Sequence, residues 1–228
     1  SNNERLNSYK KKAIEIAINE AKGKLIITTD ADCSVPTTWI DTFVNIYQSN
    51  KARFIIAPVV YSNLSKQKMS FLLMPFQSLD FLTMQGITAA LADKSWSSMC
   101  NGANLAFEKK AFYEVGGYKG IDHIASGDDM LLMHKIRSQY PDAVYYLKHT
   151  DAIVATQPPH TWSAFFNQRI RWASKSDKYQ EKKMTLMLAI VYGFNLCLTM
   201  LSIGCCFNNF YLKILISTLL LKTFVEII

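Results

Sequence analysis

From Met184 to Phe207 the chain reads "MTLMLAIVYGFNLCLTMLSIGCCF", 24 residues without a charge. As a helix this run spans about 36 Å at roughly 1.5 Å per residue, against a bilayer core of about 30 Å. A buried helix of a globular core is the other reading, but such helices are seldom so long and so uncharged. The run is therefore expected to be a membrane span. It divides the 228-residue chain into a mixed, charged part over 1–183 and an apolar part over 184–228. After the turn-forming pair Asn208–Asn209, "FYLKILISTLLLKTFVEII" offers a weaker second span over 210–228, interrupted by Lys213, Lys222 and Glu226. It breaks off in mid-pattern at Ile228, as a segment cut from a longer chain would.

The formal net charge of +7 is placed unevenly. Arg169, Arg171, Lys175, Lys178, Lys182 and Lys183 crowd the residues before the first span. That is the positive-inside pattern, and it puts residues 1–183 by expectation on the cytoplasmic side. A nucleic-acid surface would want aromatics interleaved with these cations and a recognisable binding signature; neither is present, and no nucleic-acid partner is expected. The five cysteines (Cys33, Cys100, Cys197, Cys205 and Cys206) show no CxxC spacing, so neither a zinc site nor a disulfide framework is expected. His123, His134, His149 and His160 show no metal-ligand spacing and carry no assigned role. The polar start argues against a signal peptide.

Along 1–183 helical and strand patterns alternate. A helix capped by Asn7 or Ser8 runs to about Ala21, with Ala13, Ile14, Ala17 and Ile18 at helical spacing and Gly23 beyond its end. Leu25 to Thr29 follows as a strand buried on both faces, and Asp30 and Asp32 come straight after it. Helix, turn, strand and acidic loop make the second half of a βαβ unit, whose first strand is not in this sequence. A helix over "TTWIDTFVNIYQS", one strand over "RFIIAPVVY" and a long helix kinked at Pro75 come next. That long helix is too polar at Gln77, Ser78 and Asp80 to span a membrane, and a core or interfacial place suits it. A short strand over 104–107, a helical turn broken at Gly116–Gly117, a helix opened by Asp128–Asp129, and strands "AVYYL" and "AIVAT" complete the pattern. The aromatic, basic helix "HTWSAFFNQRIRWASK" stands just ahead of the span. The domain boundary falls near Glu181–Lys183.

Three clusters could carry chemistry, and each also has a structural reading. Asp30-x-Asp32 on a loop is commonly a solvated turn. Asp128–Asp129 suits a helix start, where the dipole and cap favour negative charge. The segment "QRIRW" could be a basic anchor, with Trp172 an aromatic at the membrane interface. Two carboxylates at the end of an apolar strand are nevertheless costly unless something positive meets them. The forked guanidinium of Arg171 suits bidentate phosphate contact, the flat face of Trp172 suits a sugar ring, and Gln168 offers amide hydrogen bonds.

The order of "KKKAIEIAINEAKG", "TDAD", "CNGANLAF", "VGGY", "GDD" and "QRIRW" resembles glycosyltransferase family 2, in its membrane-integrated, cellulose-synthase-like and hyaluronan-synthase-like branch. The resemblance covers nearly all of residues 10–172. It departs at Gly127–Asp128, where the family has Glu before its catalytic Asp, and in lacking an opening strand with its nucleotide-contacting acidic residue. The resemblance implies an α/β fold, a GT-A-like (Rossmann-like) mixed sheet with flanking helices, followed by C-terminal transmembrane helices. It implies a membrane-bound inverting transferase that moves a sugar from a nucleotide-sugar donor, a UDP-sugar by expectation, to a hydroxyl of a glycan or lipid-linked acceptor. Repeated addition to a polysaccharide is a slight further lean. Mg²⁺ or Mn²⁺ takes few protein carboxylates and completes its shell with phosphate oxygens and water. By resemblance Asp32 is its ligand, with Asp30 sharing the metal or facing the ribose. Asp129 is the implied general base with Asp128 its neighbour in the pair, and Asn101 and Gly102 line the pocket that Gln168, Arg171 and Trp172 close. The rivals are a non-catalytic membrane interaction module and a metal-dependent phosphoryl-transfer enzyme. A loop tryptophan, Trp96, is expected to be an ordinary anchor rather than a gate.

Overall fold

The computed structural model describes residues 9–63, 69–93, 99–121, 127–173 and 182–227. The expected caps Asn7 and Ser8, and Trp96, His123, Lys175, Lys178 and Glu181, lie outside the described residues. Two compact units divide the chain, Ser1–Lys175 and Ser176–Ile228.

In the first unit, short runs rich in Ile, Val and Phe become strands, and the amphipathic stretches between them become helices. Helix α1 (Tyr9–Glu20) leads into strand β1 (Leu25–Thr28), and α2 (Trp39–Asn50) follows. Next come β2 (Phe54–Ile56), β3 (Val59–Tyr61) and the long α3 (Leu73–Asp93). Strand β4 (Leu105–Glu108) runs into α4 (Lys109–Glu114), then α5 (Asp128–Gln139), β5 (Val144–Tyr146), β6 (Val154–Thr156) and α6 (Trp162–Ala173). A mixed four-stranded sheet has the order β1-β4-β2-β5. Strand β4 is antiparallel to both β1 and β2, and β5 is parallel to β2. A separate parallel pair joins β3 to β6, with Val59 opposite Val154.

Three expectations change. Strand β1 is half-buried along its length rather than covered on both faces, and β4 is its partner among the described strands. "RFIIAPVVY" is not one strand: it breaks at Ala57–Pro58, and its halves enter different sheets. Pro58 has no N–H for a ladder, and its carbonyl accepts from Val154 N (3.1 Å) and from the Asn104 amide (2.7 Å), which fixes the corner. Pro75 lies in the first turn of α3, where a missing N–H leaves no helical bond unmade, rather than at an interior kink.

The pleat sorts the core onto two faces. Ile55 and Ala106, opposite each other in register, join Trp39 and Phe43 of α2 with Ala152 and Val154. Phe54 and Phe107, one residue along, stack at 6.2 Å on the other face, and Phe112 of α4 stacks on Phe107 at 5.7 Å. Behind Phe112 the chain turns through Gly116 and Gly117 at φ of 72° and 52°. A Cβ on Gly117 would lie 2.9 Å from Phe112 Cζ, in a backbone conformation that side chains avoid. Gly117→Ala is therefore expected to cost about 2–3 kcal/mol, read as a lower denaturation midpoint. A midpoint equal to that of the parent would show that this turn relaxes freely.

The second unit holds α7 (Lys182–Gly204) and α8 (Asn209–Ile227). Asn208 Oδ1 accepts from Phe210 N at 2.9 Å, capping α8. Gly204 lets the helices close up, since a Cβ there would meet the Tyr211 ring at 2.9 Å. Among the described residues no helix is long and apolar enough to cross a membrane.

Candidate active site

The first acidic pair sits on a turn held at both ends. On one side, Thr28 ends β1 and its hydroxyl donates to Gly102 O at 3.1 Å. On the other, Ser34 and Ala155 exchange backbone hydrogen bonds of 2.8 and 3.0 Å, tying the turn to β6. Asp30 and Asp32 are exposed between these anchors, at the carboxyl end of β1, where ligands gather in open α/β sheets.

The segment Cys100–Asn104 faces them. Asn101 closes its turn, with Oδ1 accepting from Ala103 N and its carbonyl from Asn104 N, both at 3.0 Å. Gly102 N donates to Asp129 Oδ2 at 2.7 Å, while Gly102 O receives the Thr28 hydroxyl. One residue, through the two peptide groups that flank its Cα, thus couples the second acidic pair to the strand that carries the first. A Cβ on Gly102 would lie 3.4 Å from Asp129 Oδ2, at the near edge of ordinary van der Waals contact, so the loop and the carboxylate are closely packed.

Asp128 and Asp129 are the first two residues of α5, behind Gly127 in the left-handed region at φ 83°. The helix dipole favours both charges there. Asp128 is buried and Asp129 half-buried. Asp129 Oδ1 accepts from Met130 N at 2.8 Å. The buried Tyr118 phenol stands beside the pair. Burial raises its pKa well above the ordinary value, and Asp128, Asp129, Glu15 and Cys100 push it the same way.

The aromatic helix completes the set. Trp172 packs with Cys33 and Tyr61 against Val59, Phe81 and Ala103. Cys33 follows Asp32 and Ala103 follows Gly102, so the first acidic loop, the loop of Asn101 and Gly102, and the aromatic helix meet around this apolar cluster. Gln168 Oε1 accepts from Tyr61 OH at 3.0 Å and from Arg169 Nη1 at 2.9 Å. Arg171 is exposed on the same helix.

A family model described as glycosyl transferase family group 2 matches residues 25–225. The chain belongs to this family. None of the curated proteins compared matches it. As a family 2 glycosyltransferase it transfers a sugar from a nucleotide-sugar donor to an acceptor, and its mixed sheet with flanking helices fits the GT-A-like fold. Among the described residues no group of three His, Cys, Asp or Glu side chains could hold a metal ion. Asp30 and Asp32 offer two exposed carboxylates, a donor set suited to an octahedral cation that keeps water and phosphate in its shell.

Several residues that hold the site are absent from any motif pattern. Thr28, Tyr61 and Asp80 have partners distant in sequence, and no local spacing announces them; Tyr118 stands in the "VGGY" segment, whose order gave it no role. Asn104 could have been found, as a second asparagine beside Asn101 in a buried apolar stretch.

Proposed function

We propose that this glycosyltransferase is membrane-bound, inverting and metal-assisted, of the cellulose-synthase-like and hyaluronan-synthase-like branch. It takes a UDP-sugar to a hydroxyl of a glycan or lipid-linked acceptor. The observation that carries this reading is Gly102, whose N–H donates to Asp129 and whose carbonyl accepts from Thr28. In this reading a nucleophile activated at Asp129 meets a donor whose diphosphate lies on the loop of Asp30 and Asp32, which follows Thr28.

In this reading Asp32, with Asp30, would hold Mg²⁺ or Mn²⁺, which when bound neutralises charge growing on the departing diphosphate. Asp129 accepts the proton of the acceptor hydroxyl; a carboxylate oxygen has a lone pair beyond the one that receives a backbone N–H. The hydroxyl oxygen bonds to the anomeric carbon from the face opposite the diphosphate. The bond to the diphosphate breaks and its electron pair leaves with the nucleotide, inverting the centre. Arg171 pairs with the diphosphate, Trp172 carries a sugar ring, and Gln168 with Asn101 line the cleft. The QRIRW helix favours repeated addition.

The membrane part of this reading rests on the sequence pattern and exposed surface of the C-terminal unit, no described helix being by itself long and apolar enough to cross a membrane. Helix α7 has 23 residues and no charge after Lys183. Ile190, Tyr192, Met200, Leu220 and Phe224 are all exposed on this pair of helices, a surface suited to lipid. The positive residues before α7 in the sequence favour the cytoplasmic face of an inner membrane for residues 1–183.

The test is a panel of nucleotide sugars offered to the full-length protein in membranes, with Mn²⁺. UDP release is expected only when acceptor is present, is lost on chelation, and returns with added Mn²⁺ or Mg²⁺. Release that ignores acceptor would mark a phosphoryl-transfer enzyme. Silence with every donor would leave a membrane interaction module.

A further inference from the structure

By pattern alone Arg169 is one cation in a basic cluster. In the structure its side chain is fully engaged in another way. Nε donates to Asp80 Oδ2 at 2.8 Å, Nη2 reaches the same oxygen, and Nη1 donates to Gln168 Oε1 at 2.9 Å. The guanidinium carbon lies 4.4 Å from the centre of the Trp172 ring and 4.6 Å from that of Phe165. All three nitrogens are committed, and the positive charge is met by a carboxylate, so a diphosphate gains little there. What the group can do is hold its neighbours.

Asp80 lies on α3, next to Phe81. The Phe81 ring stacks on Tyr61 at 4.4 Å and lies 6.1 Å from Trp172. Tyr61 in turn donates to Gln168. Helix α3 therefore meets the aromatic helix through an ion pair and an aromatic contact side by side, 89 residues apart in sequence for the Asp80–Arg169 pair. We propose that Arg169, anchored by Asp80, is a positioning residue for sugar transfer: it fixes the Trp172 ring and the Gln168 amide in the orientation that receives the acceptor. This deepens the functional reading above and rests on it for the part Trp172 plays. Lysine cannot replace the arginine here. An ammonium has no plane to lie over the indole and no fork to span Asp80 and Gln168.

The experiment uses the full chain labelled with 5-fluorotryptophan, with the Trp172 resonance assigned by its loss in Trp172→Phe. Arg169→Lys and Asp80→Asn are each expected to shift that resonance while the resonance of buried Trp39 stays in place. In transfer assays both variants should raise the acceptor KM about tenfold and leave the donor KM within about twofold, and the double variant should be no worse than the poorer single one. An unmoved Trp172 resonance overturns the proposal. So does a shifted resonance with acceptor KM unchanged, or a rise confined to donor KM, which would make Arg169 a donor contact. If parent protein transfers no sugar while the resonance still answers to Asp80→Asn, the clamp stands and the functional reading is what fails.

Discussion

Asp129→Asn is expected to lower sugar transfer by about two to four orders of magnitude, the usual worth of a positioned general base, while metal-dependent donor binding persists. The amide is nearly isosteric with the carboxylate but cannot take the acceptor proton at neutral pH. The geometry also says what the change does to the fold. Asp129 receives Gly102 N on one oxygen and Met130 N on the other, whereas an amide has one oxygen. Whichever way it turns, one backbone N–H faces an NH₂ group, and the loss of that bond costs about 1 kcal/mol. That is too small to unfold the domain, so the activity loss can be read as chemistry. Asp128→Asn supplies the contrast. Asp128 is buried behind its neighbour, and its loss is expected to lower transfer far less than that of Asp129. The reverse order would move the base to Asp128, and full activity in Asp129→Asn would remove the base from the pair altogether. The measurements are single-turnover transfer and donor binding in the presence of Mn²⁺.

The elements that carry chemistry were legible because loops and helix starts display their chemistry in local order. Asp30 and Asp32 follow an apolar strand, Asp128 and Asp129 open a helix, and Arg171 with Trp172 closes one. What was hidden depends on partners far along the chain. "RFIIAPVVY" is uniformly apolar, and its division between two sheets is fixed by carbonyl partners at Val154 and Asn104, which lie 46 or more residues away. The half-buried state of β1 depends on which strands flank it, a property of the sheet and not of its own residues. The polar residues of α3, read only as reasons against a membrane span, have particular duties: Gln77 donates to Pro159 O at 3.2 Å, and Asp80 holds Arg169. Spacing along one helix could not reveal either. The packing of the first acidic loop and the Asn101–Gly102 loop against the aromatic helix was likewise a matter of tertiary structure, through Cys33, Ala103 and Trp172.

Asn104→Leu is expected to destabilise the N-terminal unit by about 3–4 kcal/mol, several times the average surface substitution. Asn104 is fully buried at the start of β4. Its Oδ1 accepts from Trp39 Nε1 at 3.0 Å, and its Nδ2 donates to Pro58 O and Ala152 O, both at 2.7 Å. The amide orientation follows from these partners, since an indole N–H needs an acceptor and two carbonyls need a donor. One side chain thus ties α2, the corner between β2 and β3, and the approach to β6. Leucine fills the space but leaves the indole N–H and the Ala152 carbonyl without that partner, at about 1–3 kcal/mol each, whereas Pro58 O keeps its bond from Val154 N. Asn104→Asp should be worse than leucine, because the second oxygen would face two carbonyls and carry charge into the core. Both variants should also slow transfer, since Asn104 N bonds to Asn101 O and steadies the loop that presents Gly102 to Asp129. Denaturant midpoints for parent, Leu and Asp variants check the order. A leucine variant within about 0.5 kcal/mol of the parent, the range of an ordinary surface change, would mean that this amide does not hold the site's floor together.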